Sequence, residues 1–188
     1  MDPLNKAFAQ ADRANFVLPE YESQAYYDHA LPIGFGQTIS QPTTVRLMLG
    51  WLEVEPGNKI LDVGSGSGWS TALLSYLAGP KGKVYAVERI PELLEFGREN
   101  CRSAGIKNTH FYLAGKHYGL PKYAPYDRIL VSAEAQAVPK ELMDQLKPGG
   151  KMVIPVGYDI LEIEKPPGGK SDIKIHPGFV FVPLEKPA

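Results

Sequence analysis

The chain has 188 residues, the size of one ordinary domain, and a single core of that size buries roughly 70% of its unfolded surface without staples. Its 20 Lys+Arg against 21 Asp+Glu leave a formal net charge of −1, which excludes polyanion binding by bulk charge though not by a local basic patch. The 44% hydrophobic and 22% charged content excludes disorder, and the lone Cys101 excludes an intrachain disulfide or a cysteine metal cluster.

Residues 1–36 read as a segment that covers a domain formed by residues 37–188. The segment holds a short helix around Leu4–Ala11 and then an aromatic stretch, YESQAYYDHALPIGFG. Helical spacing starts near Ser40, where Val45, Met48, Leu49 and Leu52 follow the i, i+3, i+4, i+7 pattern of one buried face. Pro42 suits a first helical turn, where its missing N–H has no partner to lose. KILDVGS is a buried strand, and WSTALLSYLAG is a helix that Gly79-Pro80 ends. GKVYAVE is a second strand. PELLEFGRENCRSAG is a helix opened by Pro91, with Glu92 and Glu95 in its positive first turn and Gly105 closing it. HFYLA is a weaker strand, DRILVS a clear one, PKELMDQL a short helix and KMVIPVG another strand. YDILEIEK and DIKIHPGFVFVPL, around a PPGG turn, read as a terminal hairpin. The repeated units predict an α/β fold. Its central sheet is mostly parallel, with helices on both faces and antiparallel strands at one edge.

The loop LDVGSGSGWST lies where such sheets bind ligands, at the carboxyl end of a strand. Gly64, Gly66 and Gly68 let the backbone approach a ligand. Glu88 ends the next strand, where a carboxylate can accept bonds from both hydroxyls of a ribose. A dinucleotide loop has G-x-G-x-x-G, but here Trp69 holds the third glycine position, and no Gly-Lys-Ser/Thr follows for a phosphate loop. G-x-G-x-G after Asp62 resembles S-adenosylmethionine-dependent methyltransferases of the Rossmann-like class, which implies the Rossmann-like methyltransferase fold for this sheet. Just upstream, Thr38 and Ser40 place two hydroxyls before a helix. On local sequence alone Ser40 is an N-cap.

Taken together, AYYDHALPIGFGQTISQP, LDVGSGSGWSTALL, VYAVERIPELLEF, APYDRILVSA, VPKELMDQLKPGGKMVIPVG and FVFVPL resemble the protein-L-isoaspartate O-methyltransferase family, in order from Phe16 to Leu184. The resemblance implies transfer of a methyl group from S-adenosylmethionine to the free carboxylate of L-isoaspartyl or D-aspartyl residues in damaged proteins and peptides. S-adenosylhomocysteine is the other product, and the ester then closes to a succinimide. It implies that Ser40 is the active-site hydroxyl and that Gln37, Thr38, Ser40 and Val182 contact the substrate. It also implies cofactor contacts from Thr38, Ile39, Asp62, Gly64, Ser65, Gly66, Ser67, Gly68, Glu88, Arg89, Gly115 and Lys116. The alternatives are methylation of another carboxylate, such as normal aspartate, or a degenerate domain that binds the cofactor without turnover.

One departure stands out. The family carries Gly-Asp-Gly after the third strand, near the adenine, whereas this chain has Ala114-Gly115-Lys116. The resemblance implies that a carboxylate accepting from the adenine amine is thereby lost, with backbone carbonyls, His117 or a water as the compensating groups. The other histidines, His29, His110 and His176, read as loop or surface residues without metal-ligand spacing, so no metal is expected. The basic stretches Lys116–Lys122 and Lys165–Lys174 read as solvated loops. After the fourth strand stands Ser132-Ala133-Glu134-Ala135, where amino-group methylases of nucleic acid carry an Asn/Asp-Pro-Pro-aromatic tetrad, so no nucleic-acid partner is expected. No apolar run reaches the ~18 residues of a membrane span, and no secretory leader opens the chain. A monomeric, cytoplasmic enzyme is the resulting expectation.

Overall fold

A computed structural model describes residues 2–185. Residue 1 and residues 186–188, the outer ends of the two expected regions, lie outside the described residues. Helix α1 (Pro3–Gln10) starts where the Asp2 carboxylate accepts from the Asn5 N–H. Two 3-10 turns follow, Arg13–Phe16 and Pro19–Gln24, and then a small hairpin of β1 (Leu31–Gly34) and β2 (Gln37–Ile39). The rest alternates strand and helix: α2 (Pro42–Leu52), β3 (Lys59–Val63), α3 (Trp69–Ala78), β4 (Lys83–Glu88), α4 (Pro91–Ser103), β5 (Thr109–Leu113), β6 (Tyr126–Val131), α5 (Lys140–Gln145), β7 (Leu146–Val156), β8 (Asp159–Glu164) and β9 (Asp172–Pro177).

The seven-stranded sheet runs β5-β4-β3-β6-β7-β8-β9. Pairing is parallel from β5 to β7 and antiparallel for β7-β8 and β8-β9, as the strand–helix units and terminal hairpin predict. The strand order reverses beside β3: the chain moves outward through β4 and β5, then returns to β6 on the other side. That reversal opens a crevice above the carboxyl ends of β3 and β6.

Consecutive residues of β3 supply opposite faces of the sheet. Ile60 joins the layer that holds α2, α3, α4 and the residues Ala7, Ala11 and Phe16 of the N-terminal segment. Leu61 joins the layer under α5 and the loop around Tyr118–Tyr126. The two layers are therefore unequal, and residues 7–33 contribute to the larger one. Among the described residues no helix is long and apolar enough to cross a membrane.

Two local expectations change. The hairpin strand expected to run through FVFVPL stops at Pro177. Gly178 (φ +95°) turns the chain, and Phe179 donates its N–H to the Tyr158 carbonyl. Residues 182–184 then run beside the loop after β6: Glu134 N–H donates to Val182 O (2.8 Å) and Leu184 N–H to Glu134 O (2.7 Å). Lys165 is not a solvated loop residue. Its ammonium donates to the carbonyls of Met143 (2.7 Å) and Leu146 (2.6 Å), capping the open end of α5.

Candidate active site

The crevice holds a cavity of about 420 Å³, within the range of small-molecule sites. Its floor is the loop between β3 and α3. Gly64 (φ +81°) and Gly66 (φ +49°) take backbone conformations that side chains disfavour. The N–H groups of Gly64 and Ser65 donate to Val87 O, which ties the loop to β4. One face of α4 supports it from below. Gly97 lies against the backbone of residues 66–68, Asn100 donates to Ser67 O (2.9 Å), and the Cys101 thiol donates to Gly68 O (3.4 Å). Residues 97, 100 and 101 share one helix face, at i, i+3 and i+4.

Glu88 closes one wall. One carboxylate oxygen accepts from the N–H of Arg89 (2.8 Å) and Ile90 (3.0 Å), and the other from Gly66 N–H (3.0 Å). The carboxylate is thus fixed in place, and with three of its about four acceptor sites taken it keeps about one for a ligand. Ser65 also lines the cavity, and its hydroxyl is buried without a partner among the described residues.

Of the residues expected at the site, Gln37, Thr38, Ile39, Ser40, Gly64, Ser65, Gly66, Ser67, Glu88, Arg89, Gly115 and Val182 line this cavity. Asp62, Gly68 and Lys116 do not. Asp62 is fully buried beneath the loop and accepts from the hydroxyls of Ser70 (2.8 Å) and Thr71 (2.6 Å), so it holds the first turn of α3. Burial pushes its pKa up to about 6, against the pull of those two hydrogen bonds. Burial and the nearby Asp62 push the Cys101 thiol up to about 12, so it stays protonated and inert. Gly68 faces α4. At the far end, Gly115 and His117 line the wall, and His117 Nδ1 stands 3.7 Å from Glu141.

Ser40 is not an N-cap. Helix α2 begins after Gln41, and its first turn is served by Asp28, whose carboxylate accepts from Thr43 N–H at 2.8 Å. That bond holds the Asp28 pKa below its ordinary value. Among the described residues the Ser40 hydroxyl makes no hydrogen bond, so it is free to donate. A second cavity of about 270 Å³ adjoins the first. Thr38, Ser40, Ser132 and Val182 line both, so these residues form the junction between two chambers.

Two contributors escape sequence reasoning. Trp69, read only as too bulky for a dinucleotide loop, lines the cavity and donates its indole N–H to Ala11 O (2.9 Å) while Phe8 packs edge-on at 5.5 Å. Arg13 donates to the carbonyls of Ile39 (3.3 Å) and Ser40 (3.1 Å). Neither contact carries a periodic signal.

Known proteins resemble this chain in sequence and in fold. A family model described as protein-L-isoaspartate(D-aspartate) O-methyltransferase matches residues 1–188. A protein-L-isoaspartate O-methyltransferase of Pyrococcus horikoshii is 45% identical, covering 97% of this chain and 84% of its own. One of Aeropyrum pernix is 50% identical, covering 95% of this chain and 71% of its own. A solved protein-L-isoaspartate O-methyltransferase superposes with a TM-score of 0.89 at 28% identity, over 98% of this chain but only 62% of that one. A Plasmodium falciparum structure described as a protein of that kind in complex with S-adenosyl-L-homocysteine gives 0.84 at 27% identity, over 99% of this chain and 91% of that one.

Proposed function

The chain belongs to the protein-L-isoaspartate(D-aspartate) O-methyltransferase family, and from that membership we propose how its two chambers divide the work. The enzyme transfers a methyl group from S-adenosylmethionine to the free carboxylate of isoaspartyl residues in damaged proteins, the step that starts their repair through a succinimide.

The larger cavity takes the methyl donor. Gly64 and Gly66 let it lie against the backbone, Glu88 offers its remaining acceptor site to a ribose hydroxyl, and Ser65 brings a hydroxyl that lacks a partner among the described residues. The donor supplies an electrophilic methyl on a sulfonium. The smaller cavity takes the damaged residue, with Val182 beside its backbone, while Gln37 approaches the acceptor from the wall of the larger cavity. The carrying observation is that Thr38, Ser40, Ser132 and Val182 line both chambers, so the two reactants meet at that line.

The acceptor needs no general base, because a carboxylate with a pKa near 4 is already ionised at pH 7. The protein has to align oxygen with the methyl carbon, exclude water and leave the anion reactive. Positioning of this kind contributes several kcal/mol. Ser40 donates its hydroxyl to the acceptor carboxylate and sets its direction. Asp62 and Gly68 act indirectly, by shaping the loop and its helix. Lys116 is left at the rim of the adenine end, and the carboxylate that the family resemblance places at Gly115 has no replacement on that residue.

The reading includes a monomer that works without nucleic acid in the cytoplasm. The net charge of −1 offers no general attraction to polyanions. Incubation with methyl-labelled S-adenosylmethionine and paired peptides, differing only in an isoaspartyl or a normal aspartyl link, tests substrate choice. Label in the isoaspartyl peptide alone is expected. Equal labelling of both would make this a general carboxylate methylase, and no labelling would make it a degenerate domain.

A further inference from the structure

Arg13 is 4% exposed, yet among the described residues it forms no salt bridge. Its guanidinium addresses backbone carbonyls instead. Nη1 donates to Ala25 O (2.9 Å) and Tyr27 O (3.4 Å), and Nη2 to His29 O (3.0 Å), Ile39 O (3.3 Å) and Ser40 O (3.1 Å). The same cation lies 5.4 Å from the ring centroid of Trp69, a residue of the cavity wall. Burial lowers its pKa to about 10 against the opposing pull of the Asp28 charge, so it remains charged at neutral pH. Burying a cation with no carboxylate in salt-bridge contact among the described residues is costly, Asp28 acts on it only from a distance, and a rigid planar fork is the group that can satisfy several carbonyls at once.

These bonds converge on the link between β2 and α2. Ile39 ends the hairpin ladder opposite Leu31, and the helix starts at Pro42. Ser40 lies between them, outside either regular hydrogen-bond ladder, and Arg13 holds its carbonyl. The aromatic segment that delivers Asp28 to the first turn of α2 is held by the same guanidinium, through Tyr27 and His29.

We propose that Arg13 is a positioning residue for methyl transfer: by clamping the carbonyls of residues 39 and 40 it fixes the Ser40 hydroxyl at the junction of the two chambers. The proposal rests on the reading of Ser40 as the group that orients the acceptor carboxylate. Displacement of such a group by about 1 Å can cost on the order of a hundredfold in rate. A lysine keeps the charge but, with a single donor centre, cannot bridge both segments.

The test uses the full chain and compares wild type with Arg13→Lys, Arg13→Ala, Ser40→Ala and the double variant Arg13→Lys/Ser40→Ala. Melting temperature, S-adenosylhomocysteine affinity, and kcat and KM on an isoaspartyl peptide are measured for each. Arg13→Lys is expected to lower kcat by about tenfold or more, with cofactor affinity changed less than about threefold. Methylguanidinium is expected to restore part of the kcat of Arg13→Ala. In the Ser40→Ala background, Arg13→Lys is expected to change kcat by less than about twofold. A lowered melting temperature with kcat intact would leave Arg13 a role in stability only and overturn the proposal. So would an Arg13→Lys effect of full size in the Ser40→Ala background. Full turnover by Ser40→Ala would remove the Ser40 reading and this proposal with it, whereas an impaired Ser40→Ala beside an unimpaired Arg13→Lys would remove this proposal alone.

Discussion

Replacing Gly68 by alanine should collapse the packing of the loop on α4, and the structure sets the size of the effect. A Cβ at position 68 would lie 2.6 Å from Gly97 O, 3.0 Å from its Cα and 3.1 Å from its carbonyl carbon. All three are backbone atoms of a helix, so no flexible side chain can swing aside. The contact is reciprocal, since a Cβ on Gly97 would stand 2.7 Å from Gly66 O. Gly68 also has φ +85°, which costs an L-residue roughly 1–2 kcal/mol. Overpacking adds about 1–3 kcal/mol, for a total of about 2–5 kcal/mol. At about 2–4 °C per kcal/mol for a domain of this size, the melting temperature should fall by about 4–20 °C. Gly105→Ala is the control: its φ is +73°, but nothing lies within 4 Å of its Cβ position, so only the backbone cost applies. Calorimetric melts of both variants, with S-adenosylhomocysteine titrations, separate the two contributions. The reasoning fails if Gly68→Ala melts at the same temperature as Gly105→Ala.

Other consequences are equally specific. Gly115→Asp returns a carboxylate to the adenine end, and its Cβ would meet nothing within 4 Å at an unstrained φ. S-adenosylhomocysteine should bind about 1–3 kcal/mol more tightly by titration calorimetry, and unchanged or weaker binding would show that the adenine amine lies elsewhere. Asp62 contributes to pH-dependent stability with the sign opposite to a salt-bridged carboxylate. Its folded pKa of about 6 lies above its ordinary 3.8, so the folded state takes up a proton first as pH falls. Its contribution is most favourable below the ordinary value, and about 3 kcal/mol of it is lost as pH rises through about 6. Urea melts of wild type and Asp62→Asn from pH 4 to 7 should therefore show the variant gaining relative stability with pH, and a difference that ignores pH would contradict the assignment.

How far the sequence discloses all this depends on the range of the contacts. Each strand of the seven-stranded sheet announces itself through a short apolar run, and each helix through spacing and a proline or glycine at its ends, because these are local effects; the β1–β2 hairpin carries no such run and escapes the sequence reading. The loop from Gly64 to Gly68 and the carboxylate of Glu88 are legible for the same reason: their chemistry needs small residues and an acid at fixed separations. Ser40 shows the limit. Beside a helix start it has the form of an N-cap, but the job goes to Asp28, 15 residues before the Thr43 N–H it accepts from. Only the tertiary course of the aromatic segment decides this. The end of the chain misleads similarly. FVFVPL has the apolar alternation of a strand, yet Gly178 turns it out of the ladder and across to Glu134. Arg13 gives no sign at all, since a buried guanidinium bonded to distant carbonyls has the same one-letter appearance as a surface arginine.

The hydroxyl at position 40 bears most of the weight, and a single comparison examines it. Wild type and Ser40→Ala are assayed for kcat on an isoaspartyl peptide and for affinity toward S-adenosylhomocysteine. Loss of one charge-assisted hydrogen bond, about 1.5–3 kcal/mol, predicts a fall in kcat of roughly 10–150-fold with cofactor affinity essentially retained. Undiminished turnover, or a loss that lies wholly in cofactor binding, would contradict the account.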